Sequence, residues 1–353
     1  MTSTTVSTIP NYKRGWRHAL RAGMATSCLV SALVAGLAGT ADAADKIKIA
    51  QSIPTLNNPW YASFAKGSKD MAAALGVDLT LVTNPASTPF APSAQINAIE
   101  NLIARQPKVI QIDPTSTDGI NTAIEEARNQ GIKVVTDGIN VSTDVDASVI
   151  ADNKQGGELA GAYVAKALSG GGSVAMLQGP PGRDIITMRH DGFRQGLSAN
   201  PQAKIVASQN ADLDRSKGQT VTENVLEAHQ DLKAIWGASD TMALGALEAL
   251  KARNLAGKVL LGGFDGTPDA FQAIKDGQMS FTIDQVPYEM GATAIALSYK
   301  LATGQAPAEP HTVLETTLVD KSNVAAYLDQ SADREKKTLA AVLAKYQLKA
   351  QSE

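Results

Sequence analysis

The chain has 353 residues, 44% of them hydrophobic and 19% charged, enough to bury two cores in an ordinary soluble composition. With 32 basic against 35 acidic residues and no basic stripe, nucleic acid is excluded as a partner. The single cysteine, Cys28, lies in an apolar N-terminal stretch, so the rest of the chain holds no disulfide, thiolate metal site or thiol nucleophile.

"NYKRGWRHALRAG" carries Lys13, Arg14, Arg17 and Arg21 and no acid. The apolar "MATSCLVSALVAGLAGT" follows, and then the small-x-small site Ala41-Asp42-Ala43. This order reads as a secretory signal peptide over 1–43. The apolar run is short for a membrane anchor, which needs about 17–20 residues. Ala25, three positions before Cys28, does not suit lipid attachment. Cleavage after Ala43 leaves 28 basic and 34 acidic residues, a net charge of −6, in a periplasmic protein.

From there, short β-branched runs alternate with helical stretches. "KIKIAQS" (46–52) is a predicted strand. "TLNNPWYASFAKGSK" (55–69) then opens a helix, with Asn58 as its cap and Pro59 in the first turn. Trp60 and Tyr61 stand side by side at its mouth, where large aromatics stay partly wet unless something packs on them, which raises the question of a ligand. Strands follow at 77–83, 108–113, 132–138 and 147–153. The intervening helices carry Ile96, Ile99, Leu102 and Ile103, and then Ile120, Ile124 and Ala127, on one face each. The pattern restarts with strands at 171–179, 203–210, 232–240, 257–266 and 279–285. Such runs imply parallel sheets with right-handed crossovers, here two doubly wound α/β sheets of ordinary domain size. No Pro/Ser linker separates them, so the join near Ala151-Asp152 predicts a hinge. The segment 331–353 reads as a terminal helix that frays.

Open parallel sheets bind ligands beyond the carboxyl ends of their strands. Asn58, Trp60, Tyr61, Asp137, Gln178, Ser239, Asp240, Asp265, Asp284 and Gln285 gather there. Carboxylates and amides suit vicinal hydroxyls, and aromatic faces suit the C–H face of a sugar. Singly, each has a structural role open to it: Asn58 as a helix cap, Asp137 and Asp265 as turn residues before glycine. Enzyme and cofactor signals are lacking. His190, His229 and His311 show no zinc-ligand spacing. "GGSVAMLQGPPG" is neither a dinucleotide fingerprint nor a P-loop. "NADLDRSKGQTV" has Arg215 and Val221 where a calcium loop needs Gly and Glu. No cofactor and no metal are expected.

"TLNNPW", "PTSTDGINTAI", "IADNKQGG", "ADLDRSKG", "ASDTMALGALEAL", "LLGGFDGTPDA" (260–270) and "TIDQVP" together resemble the ribose-binding group of periplasmic sugar-binding proteins, over about 45–320. The resemblance implies a type I periplasmic binding protein fold: two lobes, three hinge crossings and a ligand between them. It places the lobes at 45–151 plus 286–314 and at 152–285 plus 315–330. It also implies an ABC permease and its ATPase as partners of a monomeric, non-enzymatic receptor.

Carried over by position, Asn58, Asp137, Asp265 and Gln285 match the family's polar sugar contacts, and Trp60 and Tyr61 stand where two phenylalanines belong. Four positions depart. Gly138 and Thr187 replace arginines, although Arg189 keeps the nearby "R-x-x-G-F" motif; Leu213 replaces an aromatic and Ser239 an asparagine. The resemblance therefore implies a pocket poor in guanidinium and not tuned to ribose, suited to another monosaccharide, a polyol or a cyclitol. A periplasmic sensor that docks on a chemoreceptor or sensor kinase is the competing expectation. A secreted hydrolase built on Asp137 and Asp265 is the weaker third.

Overall fold

A computed structural model describes residues 46–351 apart from residue 330. The expected signal peptide falls outside these residues. Among those described, two six-stranded sheets each carry helices on both faces.

The first sheet is built from β1 (Lys48–Ile53), β2 (Asp78–Thr83), β3 (Val109–Ile112), β4 (Lys133–Asp137) and β5 (Ala147–Ala151), with α1 (Pro59–Leu75), α2 (Pro92–Ile103) and α3 (Asn121–Asn129) between the first four. The chain then enters α4 (Asn153–Ala167), β6 (Gly172–Gln178), α5 (Asp184–Leu197), β7 (Ala203–Asn210), α6 (Arg215–Ala228), β8 (Leu232–Gly237), α7 (Asp240–Ala252), β9 (Leu260–Gly262), α8 (Pro268–Lys275) and β10 (Phe281–Asp284). It returns as α9 (Pro287–Ala302) and β11 (His311–Leu314), crosses again into β12 (Thr317–Asp320) and α10 (Val324–Asp329), and ends in α11 (Ser331–Lys345).

Strand order is β11-β5-β4-β3-β1-β2 in one lobe and β12-β10-β9-β8-β6-β7 in the other. Every pairing is parallel except β10 with β12. Central strands such as β3 (VIQI) are buried along their whole length, as a sheet covered on both faces requires. Trp236, Phe193, Phe264 and Phe281 centre one core. The other lobe has a core on each face of its sheet, one around Phe64, Met71 and Ile295, the other around Ile99, Ile110 and Ile124.

The local signals act as the sequence suggests at α1. Asn58 Oδ1 accepts from Trp60 N at 2.9 Å, Pro59 occupies the first turn, and Gly76 ends the helix with φ 66°. α9 docks on α1 so closely that a Cβ on Gly67 would overlap Tyr288 O, which fixes this late helix to the first lobe.

Three segments cross between the lobes: Ala151–Asn153, Asp284–Pro287 and Leu314–Thr317. Val286 takes φ 49° in the second, and Gln155 Oε1 accepts from the backbone and hydroxyl of Thr316 in the third. β11 and β12, absent from the sequence reading, flank that third crossing.

The C-terminal helix stops at Lys345, short of the end of the expected 331–353, and packs on the first lobe. Val342 and Tyr346 are buried against the first lobe, with Leu339, Leu343 and Leu348 packed around them. Gln351 N donates to Ala74 O at 2.8 Å. At its other end, Arg334 Nη2 donates to Asp284 Oδ2 at 3.4 Å and Glu335 pairs with Lys66 at 2.8 Å. The amphipathic pattern of 331–353 is legible in sequence, but the surface that receives it is not.

Candidate functional site

The carboxyl ends of both sheets face one cleft. It encloses a cavity of about 40 Å³. From the first lobe come Asn58, Trp60, Tyr61, Phe90, Asp113 and Gly138; from the second, Arg183, Ile185, Ile186, Arg189, Leu213, Ser239, Asp265 and Gln285.

The strand-end positions supply the polar groups. Asn58 caps α1 and also borders the cavity. Trp60 and Tyr61 are 6% and 4% exposed, packed edge to face with centroids 4.8 Å apart, and Trp60 stacks on Phe64 at 5.4 Å. They form a wall of the cleft that is largely sheltered as it stands. Trp60 Nε1 is buried without a hydrogen-bond partner.

Tyr61 donates its hydroxyl to Asp113 Oδ1 at 3.2 Å. Asp113 sits just past β3, beside Asp137 at the end of β4. Burial raises Asp113 to about 6, against the downward pull of Arg183. Burial, with the Asp113 charge adding to it, holds Asp137 well above the ordinary carboxylate range. Each of these two buried carboxyls ionises less readily while the other is charged. Asp137 is fully buried, its oxygens meet no donor from other groups, and it lies behind Asp113 rather than on the cavity wall.

In the second lobe Arg189 is the hub. Its Nε donates to Asn153 Oδ1 at 2.8 Å, and its Nη1 to Ala238 O at 2.7 Å and Asp265 Oδ1 at 3.5 Å. Nη2 donates to Gln285 Oε1 at 3.3 Å, and the guanidinium lies 3.9 Å over the Phe264 ring. Burial lowers Arg189 to about 10. Gln285 Nε2 donates to Asp265 Oδ1 at 2.6 Å, and burial raises Asp265 to about 7 despite Arg189. Asp265 takes φ 134°, a conformation imposed where the chain turns toward the cleft. Ser239 caps α7 through Met242 N at 3.3 Å.

Of the thirteen residues singled out in the sequence, eight border the cavity, and Gln178, Asp240 and Asp284 do not. Asp137 stands behind it, and Thr187 does not reach it. Thr187 is exposed, because the helical turn that carries Ile186 and Arg189 inward faces it outward. The expectation of a guanidinium-poor pocket is also corrected: Arg183 and Arg189 both line it. Nor is the space beside Gly138 empty, since a Cβ there would overlap Asp113 Oδ2. Asp113 and Phe90 were missed, as were Ile185 and Ile186. Asp113 was visible as the acid ending "KVIQID", the same strand-end signal that found Asp137 and Asp265. Arg183 lies in a loop and carries no such signal.

A two-lobed α/β receptor with this cleft is a defined class, and comparison with known proteins places the chain in it. Residues 49–306 match the periplasmic binding protein domain family, and the chain belongs to that family. The ribose import binding protein of Salmonella typhimurium is 37% identical over 78% of this chain and 92% of its own length. Among solved structures, an ABC transporter periplasmic solute-binding protein from Actinobacillus succinogenes with bound D-allose is 30% identical, with a TM-score of 0.76 over 80% of this chain and all of that one. A solute-binding protein from Bacillus halodurans with bound myo-inositol is 26% identical, with a TM-score of 0.75 over 82% of this chain and all of that one. The chain is accordingly a binding protein and not an enzyme.

Proposed function

We propose that this protein is the periplasmic substrate-binding component of an ABC importer for a sugar or sugar-like polyol. It would bind its ligand between the lobes and deliver it to a membrane permease and its ATPase. The observation that carries this reading is the composition of one cleft. Carboxylates (Asp113, Asp265), amides (Asn58, Gln285), a guanidinium (Arg189) and an aromatic pair (Trp60, Tyr61) converge on it from both lobes. That set matches vicinal hydroxyls and a sugar C–H face. Relatives named for ribose import and a neighbour holding D-allose support the same class.

In this reading the gripping lobes are 45–151 plus 286–314 and 152–285 plus 315–330, and the ligand touches Asn58, Trp60, Tyr61, Gly138, Leu213, Ser239, Asp265 and Gln285. Asp113, Arg183 and Arg189 join them, while Asp137 acts through Asp113. Export removes residues 1–43.

A thermal-shift screen of the purified protein against D-ribose, D-arabinose, D-allose, myo-inositol and glycerol tests the reading. A ligand at 100 times its Kd stabilises the fold by about 2.7 kcal/mol. Stabilisation by at least one compound, abolished by Asp265→Ala, is the expected result. No shift with any sugar or polyol would sink the proposal.

A further inference from the structure

Arg183 belongs to the second lobe by chain and to the first by surroundings. The two residues flanking it are pinned across the cleft: Thr117 N donates to Gly182 O at 3.0 Å, and Asp184 N donates to Thr117 Oγ1 at 3.2 Å. Asn140 Nδ2 donates to Asp184 Oδ2 at 2.7 Å, a third tie at the same seam. The side chain then runs into the first lobe's wall. Its guanidinium lies 5.2 Å from the centre of the Phe90 ring and shares the cavity rim with Tyr61 and Asp113. It is 5% exposed, and neither Nε nor Nη1 has a partner.

Two consequences follow. A buried guanidinium with unpartnered donors needs acceptors, and Arg183 borders the cavity. The guanidinium also takes up room. The cavity it borders is small, about 40 Å³. Small-molecule pockets commonly run to several hundred Å³.

We propose that Arg183 determines ligand size. Docked against Phe90, Tyr61 and Asp113, it narrows the cleft to a compact polyol of five carbons or fewer and donates to that ligand's hydroxyls. This rests on the reading of the cleft as the sugar site.

Calorimetry with D-ribose, D-arabinose, D-allose and myo-inositol tests it on the wild type and on Arg183→Ser, Arg183→Lys, Thr187→Ala and Asp265→Asn. The wild type should bind a five-carbon sugar at least tenfold tighter than either six-carbon compound. Arg183→Ser should shrink that ratio at least tenfold, with Arg183→Lys between, and Thr187→Ala should change nothing. A wild-type preference for a six-carbon compound, or an equal loss for all four in Arg183→Ser, overturns the assignment. If Arg183→Ser does not fold, an unchanged ratio in Arg183→Lys overturns it instead. Failure of the site itself looks different: Asp265→Asn would then bind like the wild type.

Discussion

Gly138 and Asp113 occupy each other's space: a side chain at 138 would overlap Asp113 Oδ2, and the backbone at 138 has φ 66°. The glycine is thus the condition for the Asp113 carboxyl to reach the cavity. Gly138→Ala should destabilise the fold by about 1–3 kcal/mol, the range for a strained left-handed residue. The Asp113→Ala background should relieve the part due to overlap, giving a coupling of about 0.5 kcal/mol or more in a double-mutant cycle. Urea midpoints of the four proteins measure it; additive losses would show that the overlap costs nothing.

This pair also marks the limit of what the sequence discloses. The β-α alternation, the α1 cap and the acids at strand ends are local signals, and all ten strands they suggest are present. β11 and β12 are not so visible. "HTVLETTLVD" contains two short strands two residues apart, which reads as a hairpin. They join different sheets instead, because the crossing there is a tertiary demand. Thr187 and Arg183 make the same point for the site. Position in a motif selected the first, and only the docking of a loop across the cleft could select the second.

Stability should rise as the medium is acidified from pH 8 to 5. Burial raises Asp113 to about 6 and Asp265 to about 7, with Asp137 higher than ordinary. A raised carboxyl pKa means that the unfolded chain loses its protons first. The contribution is therefore full below the unfolded value near 4 and is lost as pH climbs through 6 to 7. Asp137→Asn keeps a donor for Asp113 and removes one of these protons. It should flatten the pH profile and raise stability at pH 8 by about 1 kcal/mol or more, the cost of a poorly satisfied buried group. Urea titrations at pH 5 and 8 give the comparison, and a steeper profile in the variant would contradict a raised Asp137.

Arg189→Ala should be costly with or without ligand. It strips donors from Asn153, Ala238, Asp265 and Gln285 together. Breaking a buried pair of this kind costs about 3–5 kcal/mol. Chemical unfolding without sugar should show that loss; wild-type stability would mean that Arg189 serves the ligand alone.

Fluorescence should separate two tryptophans. Trp236 is fully buried, stacked on Phe193 at 4.3 Å, whereas Trp60 borders the cavity. In protein starting at Ala44, Trp236→Phe should keep an emission change on adding the tightest-binding sugar of the screen, and Trp60→Phe should lose it. A signal that follows Trp236 would remove Trp60 from the cleft.

The C-terminal helix should carry real stability. Truncating Tyr346, buried beside Thr312 with the two hydroxyl oxygens 3.0 Å apart, should cost about 3 kcal/mol, as large core deletions do. Tyr346→Ala melting like the wild type would show the helix to be dispensable.

That helix also changes the connectivity of the molecule. The chain enters on the first lobe at β1, passes to the second, returns at α9, leaves again at β12 and comes home along α11 to Ala74. The described chain therefore starts and finishes on the same lobe, and the second lobe hangs as an insertion with no end of its own. Tethered to a surface through either terminus, the protein would be held by the first lobe while the second stayed free to swing.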